Sequence, residues 1–212
     1  MTNIKKYLVL VAGGKGLRMG NAIPKQFLPV NGMPLLSHAI AAFVRALPDI
    51  EVILVLPEGQ LSYAQIVLLS LPVSVDVTLV TGGETRFHSV QNGLAAIDGE
   101  GIVFVHDGAR PLVSATLIKR CLAQAVEKGS AISAIPVAES MRMVNGDTST
   151  PVNRDQMRII QTPQTFRTNI IIPAFAAPYN PAFTDEATVV EAAGTPIYLA
   201  EGEKQNIKVT TP

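Results

Sequence analysis

The residues best suited to chemistry in this sequence are cations set close behind glycines. Ala12-Gly13-Gly14-Lys15-Gly16-Leu17-Arg18-Met19 is followed by Pro24-Lys25-Gln26, which places Arg18 and Lys25 near three glycines. Glycine lets backbone N–H groups approach an anion, because no side chain blocks the way and unusual φ values cost little. The string lacks the Gly-Lys-Ser/Thr of a Walker A loop, and Met19 stands where a dinucleotide fingerprint has its third glycine. Neither a P-loop kinase nor a Rossmann dehydrogenase is supported. Glycine turns after strands are common, and a flexible turn with two solvated cations would share these glycines. The addition of Arg18 and Pro24-Lys25 favours a cradle for a triphosphate.

Further chemistry lies at the ends of other apolar runs. Asp107 follows the run 102–105, so its carboxylate could hold a hard cation such as Mg²⁺ together with substrate phosphates, or could close the turn before Arg110-Pro111. Gly82 and Gly83 precede a helical pattern bearing Val90 and Leu94, so their amides and Ser89 could cradle a ligand. Ordinary capping by Thr85 or Ser89 is the alternative. His88 and His106 have no paired nucleophile and read as structural. Cys121 sits among Leu117, Ile118, Leu122 and Ala125 at helical spacing and reads as a buried core thiol.

The elements that must position these residues follow from hydrophobic pattern. Apolar runs at 7–11, 52–56, 75–80, 102–105 and 131–137 read as buried strands, and helical spacing recurs between them, at 35–44, at 90–97 and around Cys121. Strand and helix in alternation imply parallel strands joined by right-handed crossovers, hence a sheet covered on both faces. Ligands of such sheets bind beyond the carboxyl ends of the strands. The rhythm breaks after Val137, where Met141, Met143 and Val144 alternate with Arg142 and Asn145 before Gly146 and Asp147. This pattern fits a projecting hairpin, with an exposed loop as the alternative. Helical patterning returns at 167–177 and 185–193, with a strand at 196–200. The fold class expected is therefore α/β: a three-layer, Rossmann-like, mostly parallel sheet with helices on both faces and a β-hairpin arm.

Composition bounds the rest. Lys plus Arg and Asp plus Glu are 17 each among 212 residues, so no global field draws the chain to nucleic acid or an anionic membrane, and phosphate binding must come from a local cluster. No stretch approaches the roughly 20 apolar residues of a membrane span. Lys5 and Lys6 before an apolar run superficially suggest a signal peptide, but the run is short and meets Gly13, Gly14 and Lys15. One domain spanning 1–212, in a reducing cytoplasm, is the expectation.

The string Ala-Gly-Gly-x-Gly-x-Arg-Met, then Pro-Lys-Gln, resembles the signature of nucleotidyltransferases acting on sugar phosphates. Within that superfamily the chain most resembles the 2-C-methyl-D-erythritol 4-phosphate cytidylyltransferases of non-mevalonate isoprenoid biosynthesis. Segments matching in order are Gly82-Gly83-Glu84-Thr85-Arg86 with Ser89, His106-Asp107-Gly108-Ala109-Arg110-Pro111, Thr162-Pro163-Gln164, Thr184-Asp185-Glu186-Ala187 and Asn206-Ile207-Lys208-Val209-Thr210.

The resemblance implies transfer of CMP from CTP to a sugar-alcohol phosphate, with Mg²⁺ as cofactor. It implies catalytic roles for Arg18, Lys25 and Lys208; nucleotide contacts from Ala12, Gly13, Gly14, Gly16, Gly83, Glu84, Ser89 and Asp107; and acceptor contacts from Asp107, Ser140, Arg154, Thr162 and Thr184. Asp107 would hold the metal. The family also implies a homodimer formed through an arm at about 138–157. Two related alternatives are a ribitol 5-phosphate cytidylyltransferase and a non-catalytic nucleotide-binding regulator of the same fold. The chain departs from the family at Ser140, usually Thr; at Glu84, commonly Asp; at Gly108, usually Ala; and at its end, Pro212, where members continue into a helix.

Overall fold

A computed structural model describes residues 4–12, 24–72 and 74–210. The first strand, β1 (Lys5–Val11), is buried on both faces, as its unbroken apolar run requires. Alternate side chains serve opposite layers: Leu8 and Leu10 pack on one side, Tyr7, Val9 and Val11 on the other. After a short ribbon, β2 (Pro29–Val30) and β3 (Met33–Pro34), come α1 (Leu35–Ala46), β4 (Ile50–Leu56), α2 (Ala64–Leu69) and β5 (Val77–Thr81). The ribbon turns on Asn31-Gly32, both with positive φ (48° and 82°), the geometry a two-residue hairpin turn needs. Next follow α3 (Arg86–Ala95), β6 (Gly101–Asp107), α4 (Ala115–Lys128) and β7 (Ser130–Pro136). The arm is β8 (Met141–Asn145) and β9 (Thr148–Val152), after which β10 (Arg158–Arg167), α5 (Thr168–Ala174), α6 (Glu186–Ala192) and β11 (Leu199–Glu201) complete the chain.

Seven strands form the main sheet in the order β11-β7-β10-β6-β1-β4-β5. All neighbours run parallel except β10, which is antiparallel to β6 and to β7. One hydrophobic layer joins the sheet to α1, α2 and α4, and the other joins it to α3, α5 and α6. The α/β class and the mostly parallel sheet with helices on both faces are as the sequence pattern implies. The helices begin and end on local signals. Ser114 accepts from Leu117 N at 3.0 Å to cap α4, which stops at Gly129 with φ 90°, and Asp185 forms a capping box with Thr188 on α6.

The expected hairpin is present, with Asn145 paired to Thr148 and Gly146 at φ 57° in the turn. The last strand lies at Leu199–Glu201, later than the 196–200 expected, and the helix expected at 167–177 is Thr168–Ala174. The hydrophobic pattern shows neither the β2–β3 ribbon, nor α2, nor β10, which sets Gln161-Thr162-Pro163-Gln164-Thr165, a polar run with a proline, in the middle of the sheet. The register of β10 against β7 breaks between Ile160 and Gln164, around the residue that has no N–H to donate.

Candidate functional site

The register of the sheet brings the chemistry to one edge. Val11 pairs with Val55 and with Asp107, and Leu56 with Thr81, so Ala12, Gly82 and Asp107 all lie where the parallel strands end. Ala12 N donates to Val55 O at 3.0 Å, Gly82 N to Leu56 O at 2.8 Å and Gly108 N to Val11 O at 2.9 Å, which ties the three strand ends together. Gly13, Gly14, Gly16 and Arg18 lie outside the described residues.

Asp107 is the centre of a charged cluster. Its side chain is 11% exposed, and Lys208 Nζ stands 2.8 Å from Oδ2. Arg86 addresses Oδ1 through Nη2 at 3.1 Å and Nε at 3.3 Å, and Arg110 Nε is 3.8 Å from Oδ2. Burial alone would raise this carboxyl, but the charges of Arg86 and Lys208 outweigh it and hold the group below the usual carboxylate range. Arg86 is itself shared with Glu186, which is fully buried and accepts from Nη1 and, at 3.2 Å, from Nη2.

Lys208 belongs to a segment with no regular structure, and other residues hold it in place. Asn206 Nδ2 donates to Thr162 O at 2.8 Å, and Arg110 Nη1 donates to Asn206 O at 2.7 Å. Val209 N donates to Ala109 O at 2.9 Å, and Lys25 Nζ donates to Val209 O at 2.9 Å. Lys25 thus holds the backbone of the residue next to Lys208, whose own ammonium stands at Asp107.

Thr162 supports the same centre from β10. Its hydroxyl oxygen accepts from Asp107 N at 3.0 Å and lies 3.1 Å from His106 Nδ1. His106 Nε2 lies 3.1 Å from Arg110 O, and a carbonyl can only accept, so the ring proton is on Nε2 and Nδ1 accepts from Thr162. His106 is fully buried, and desolvation lowers its pKa to about 4, so the ring is neutral at pH 7. Its reading as structural fits these bonds. Cys121 is buried too, and burial pushes its thiol up.

On the neighbouring strand end, Ser89 is 3% exposed and its Oγ accepts from Gly83 N at 3.1 Å, while Thr85 caps α3 through His88 N. The capping that the sequence left open is therefore present. A Cβ on Gly83 would lie 2.4 Å from His88 Cβ and within 3.4 Å of His88 backbone, so this turn is built for glycine. Glu84 beside it is exposed. Three expected acceptor contacts lie further out. Thr184 is exposed just before the Asp185 cap, Ser140 is exposed at the foot of β8, and Arg154 is exposed after β9, with its Nη1 donating to Ala138 O at 2.6 Å. None of these three joins the Asp107 cluster through a hydrogen bond among the described residues.

The described residues contain no group of three or more His, Cys, Asp or Glu side chains able to cage a metal. A hard cation here would rest on Asp107 and take its remaining ligands from water and an anionic substrate. That donor set suits Mg²⁺, which keeps waters and uses one or two carboxylates with substrate phosphates. Asp107 Oδ1 already accepts two hydrogen bonds from Arg86, whereas Oδ2, beside Lys208, retains lone-pair capacity. Arg86, Arg110, Glu186 and Asn206 were within strings singled out in the sequence but had no role assigned. Their signal was a charged or amide residue at a strand or helix end, where solvation is the ordinary outcome.

Three comparisons bear on this site. The family model of the 2-C-methyl-D-erythritol 4-phosphate cytidylyltransferases matches residues 7–212. A protein of that name from Bacteroides thetaiotaomicron is 44% identical over 209 residues, covering 99% of this chain and 95% of the relative, and one from Geobacillus kaustophilus is 36% identical over 96% and 91%. Among solved structures, the Thermus thermophilus enzyme of the same name is similar with a TM-score of 0.75 at 32% identity, covering 97% of this chain and 92% of its own. The 4-diphosphocytidyl-2C-methyl-D-erythritol synthase of Anaerococcus prevotii is similar with a TM-score of 0.82 at 26% identity, over 98% and 93%.

Proposed function

The chain belongs to the 2-C-methyl-D-erythritol 4-phosphate cytidylyltransferase family, and from that premise we propose which of its residues carry the reaction. The enzyme transfers CMP from CTP to 2-C-methyl-D-erythritol 4-phosphate in isoprenoid biosynthesis. An acceptor phosphate oxygen bonds to the α-phosphorus, the bond to the β-phosphate oxygen breaks, and pyrophosphate leaves. No general base is needed, because the attacking oxygen is already anionic. The difficulty is crowding of negative charge, so the protein contributes positioning and preorganised cations.

The observation that carries the residue assignment is Lys208 at Asp107, at the carboxyl edge of the sheet, on a segment whose backbone Lys25 holds through Val209 O. Lys25 and Arg18 would stabilise the α-phosphate as it is attacked, and Lys208 would hold the phosphates. Asp107, with the phosphates of CTP, would hold Mg²⁺, whose contribution when bound is charge neutralisation at the phosphoryl oxygens. Gly13, Gly14 and Gly16 would cradle the triphosphate behind Ala12, and Gly83, Glu84 and Ser89 would border the cytosine. Thr162 keeps one lone pair that could accept from a hydroxyl of the polyol, while Arg154, Ser140 and Thr184 would hold the acceptor.

Arg154 and Ser140 flank the arm, which supports a site completed by a second copy of the chain. Met143 and Val144 on the arm, with Met157, Ile159 and Ile160 beyond it, are exposed large apolar residues that a homodimer would cover. No helix among the described residues is long and apolar enough to cross a membrane. A single domain working in the cytoplasm on small-molecule substrates, with no nucleic-acid partner, is the reading consistent with balanced charge and one buried thiol.

The direct test incubates the protein with Mg²⁺, CTP, ATP or GTP, and either methylerythritol phosphate or ribitol 5-phosphate, and measures pyrophosphate. Release that requires CTP and methylerythritol phosphate is expected. Faster turnover with ribitol 5-phosphate, or binding of CTP with no turnover on either acceptor, would overturn the acceptor or the catalytic reading respectively.

A further inference from the structure

We propose that Glu186 is a positioning residue that sets how much of the charge of Asp107 is left for Lys208 and a divalent cation. The inference rests on the assignment of Asp107 as the metal-holding carboxylate. Glu186 is 0% exposed in the first turn of α6, and both of its oxygens accept from Arg86. Arg86 turns Nε and Nη2 to Asp107 Oδ1 at 3.3 and 3.1 Å. One planar guanidinium therefore stands between two carboxylates, an arrangement the point charge of a lysine cannot reproduce.

A carboxylate in the first turn of α6 gains from the helix dipole, but the helix start does not depend on it. The start of α6 is already closed by the Asp185–Thr188 capping box, and Gln164 secures it further by donating to Asp185 Oδ2 and accepting from Ala187 N, each at 2.9 Å. A buried ion pair is also weak support for stability, since its desolvation penalty offsets its attraction.

The charge arrangement gives Glu186 a different role. The cluster holds three cations, Arg86, Arg110 and Lys208, against two carboxylates, Asp107 and Glu186. While Glu186 balances Arg86, the negative charge of Asp107 remains available to Lys208 and to an incoming cation. Neutralise Glu186, and the uncompensated charge of Arg86 both occupies Asp107 and repels a divalent ion.

The probe is Mn²⁺ titrated in the presence of α,β-methylene-CTP, which blocks transfer, with free Mn²⁺ read by electron paramagnetic resonance. Glu186→Gln should raise the half-saturating Mn²⁺ concentration about tenfold, the lower end of what loss of an outer-shell partner does to metal affinity. In turnover, the same variant should need correspondingly more Mg²⁺ yet keep kcat within about threefold of wild type once Mg²⁺ saturates. Arg86→Lys, whose point charge cannot span both carboxylates, should instead leave more negative charge for the cation and tighten Mn²⁺ binding, and it carries the test if Glu186→Gln does not fold. Asp107→Asn should bind no more Mn²⁺ than the nucleotide does alone. Wild-type Mn²⁺ affinity in Glu186→Gln with only a lowered melting temperature, or weakened affinity in Arg86→Lys, would overturn the proposal while leaving Asp107 as ligand. Wild-type affinity in Asp107→Asn would remove the metal assignment, and the proposal with it.

Discussion

Lys208→Ala should separate activity from stability, because the two depend on different parts of the segment that carries it. The Lys208 side chain is 42% exposed and makes one ion pair, at 2.8 Å, with Asp107. A partly exposed pair of this kind is worth about 0–1 kcal/mol. The truncation leaves Asp107 with Arg86 at 3.1 Å, and the backbone stays pinned by Val209 N to Ala109 O at 2.9 Å and by Asn206 to Thr162 O at 2.8 Å. For a chain of this size about 1 kcal/mol shifts Tm by roughly 2–4 °C, so melting should fall by no more than that. If Lys208 meets the phosphates during transfer, its loss removes one preorganised donor, an effect of about 10²–10³ in turnover, or roughly 2.7–4 kcal/mol of transition-state stabilisation. The assay pairs thermal unfolding with pyrophosphate release from CTP and methylerythritol phosphate at saturating Mg²⁺. A variant whose kcat/KM stays within about threefold of wild type would refute the catalytic role. A drop in Tm of about 10 °C would show that Lys208 is instead a structural strut.

Two further outcomes are expected. Inactive Lys25→Ala and Arg154→Ala proteins, unfolded, mixed equally and refolded, should recover about one quarter of wild-type activity, because mixed dimers contain one site with an intact core and an intact arm. Recovery no greater than the average of the separate variants, with mixed dimers verified by mass, would show that Arg154 serves its own chain or none. His106 is neutral when folded and has a pKa lowered to about 4 by burial, so the unfolded chain binds more protons as pH falls below about 6.5. Its contribution, on the order of 3 kcal/mol, should be present above that pH and be lost as pH drops toward 4. Urea unfolding of wild type and His106→Gln across this window should give a flatter pH dependence in the variant, and equal slopes would contradict the assignment.

How much of this was readable in advance depends on what each residue is bonded to. Runs such as 7–11 and 102–105 read as strands because a strand covered on both faces leaves no room for polar side chains, and β1 and β6 follow that rule. The arm was legible from Asn145-Gly146-Asp147, since a two-residue turn demands positive φ and glycine supplies it. Asp107 and Lys208 could be named from their strings, but the pairing of the two depends on a contact across 101 residues of chain that no local pattern contains. Arg86 and Glu186, 100 residues apart, each begin a helix, where a charged residue is usually solvated.

The missed strand β10 and the missed charges have one physical cause. In β10, Gln161, Thr162, Gln164 and Thr165 are all buried, which is why hydrophobic pattern passed over them. Most buried polar groups are satisfied by other groups, and here Gln161, Thr162 and Gln164 are, while Thr165 Oγ1 has no hydrogen-bond partner among the described residues. Gln161 binds Glu203 through both amide atoms, at 2.9 and 3.1 Å, and Gln164 holds the cap of α6. Thr162 receives Asp107 N at 3.0 Å, and its carbonyl holds Asn206 at 2.8 Å. The strand thus joins the three parts that converge on the site: the end of β6 with Asp107, the start of α6 with Glu186, and the segment that carries Lys208. A strand filled with valine and isoleucine would have been legible and would pack as well, but it could not orient those parts. The polarity that concealed β10 from a hydrophobic reading is therefore the same property that lets it position the candidate site.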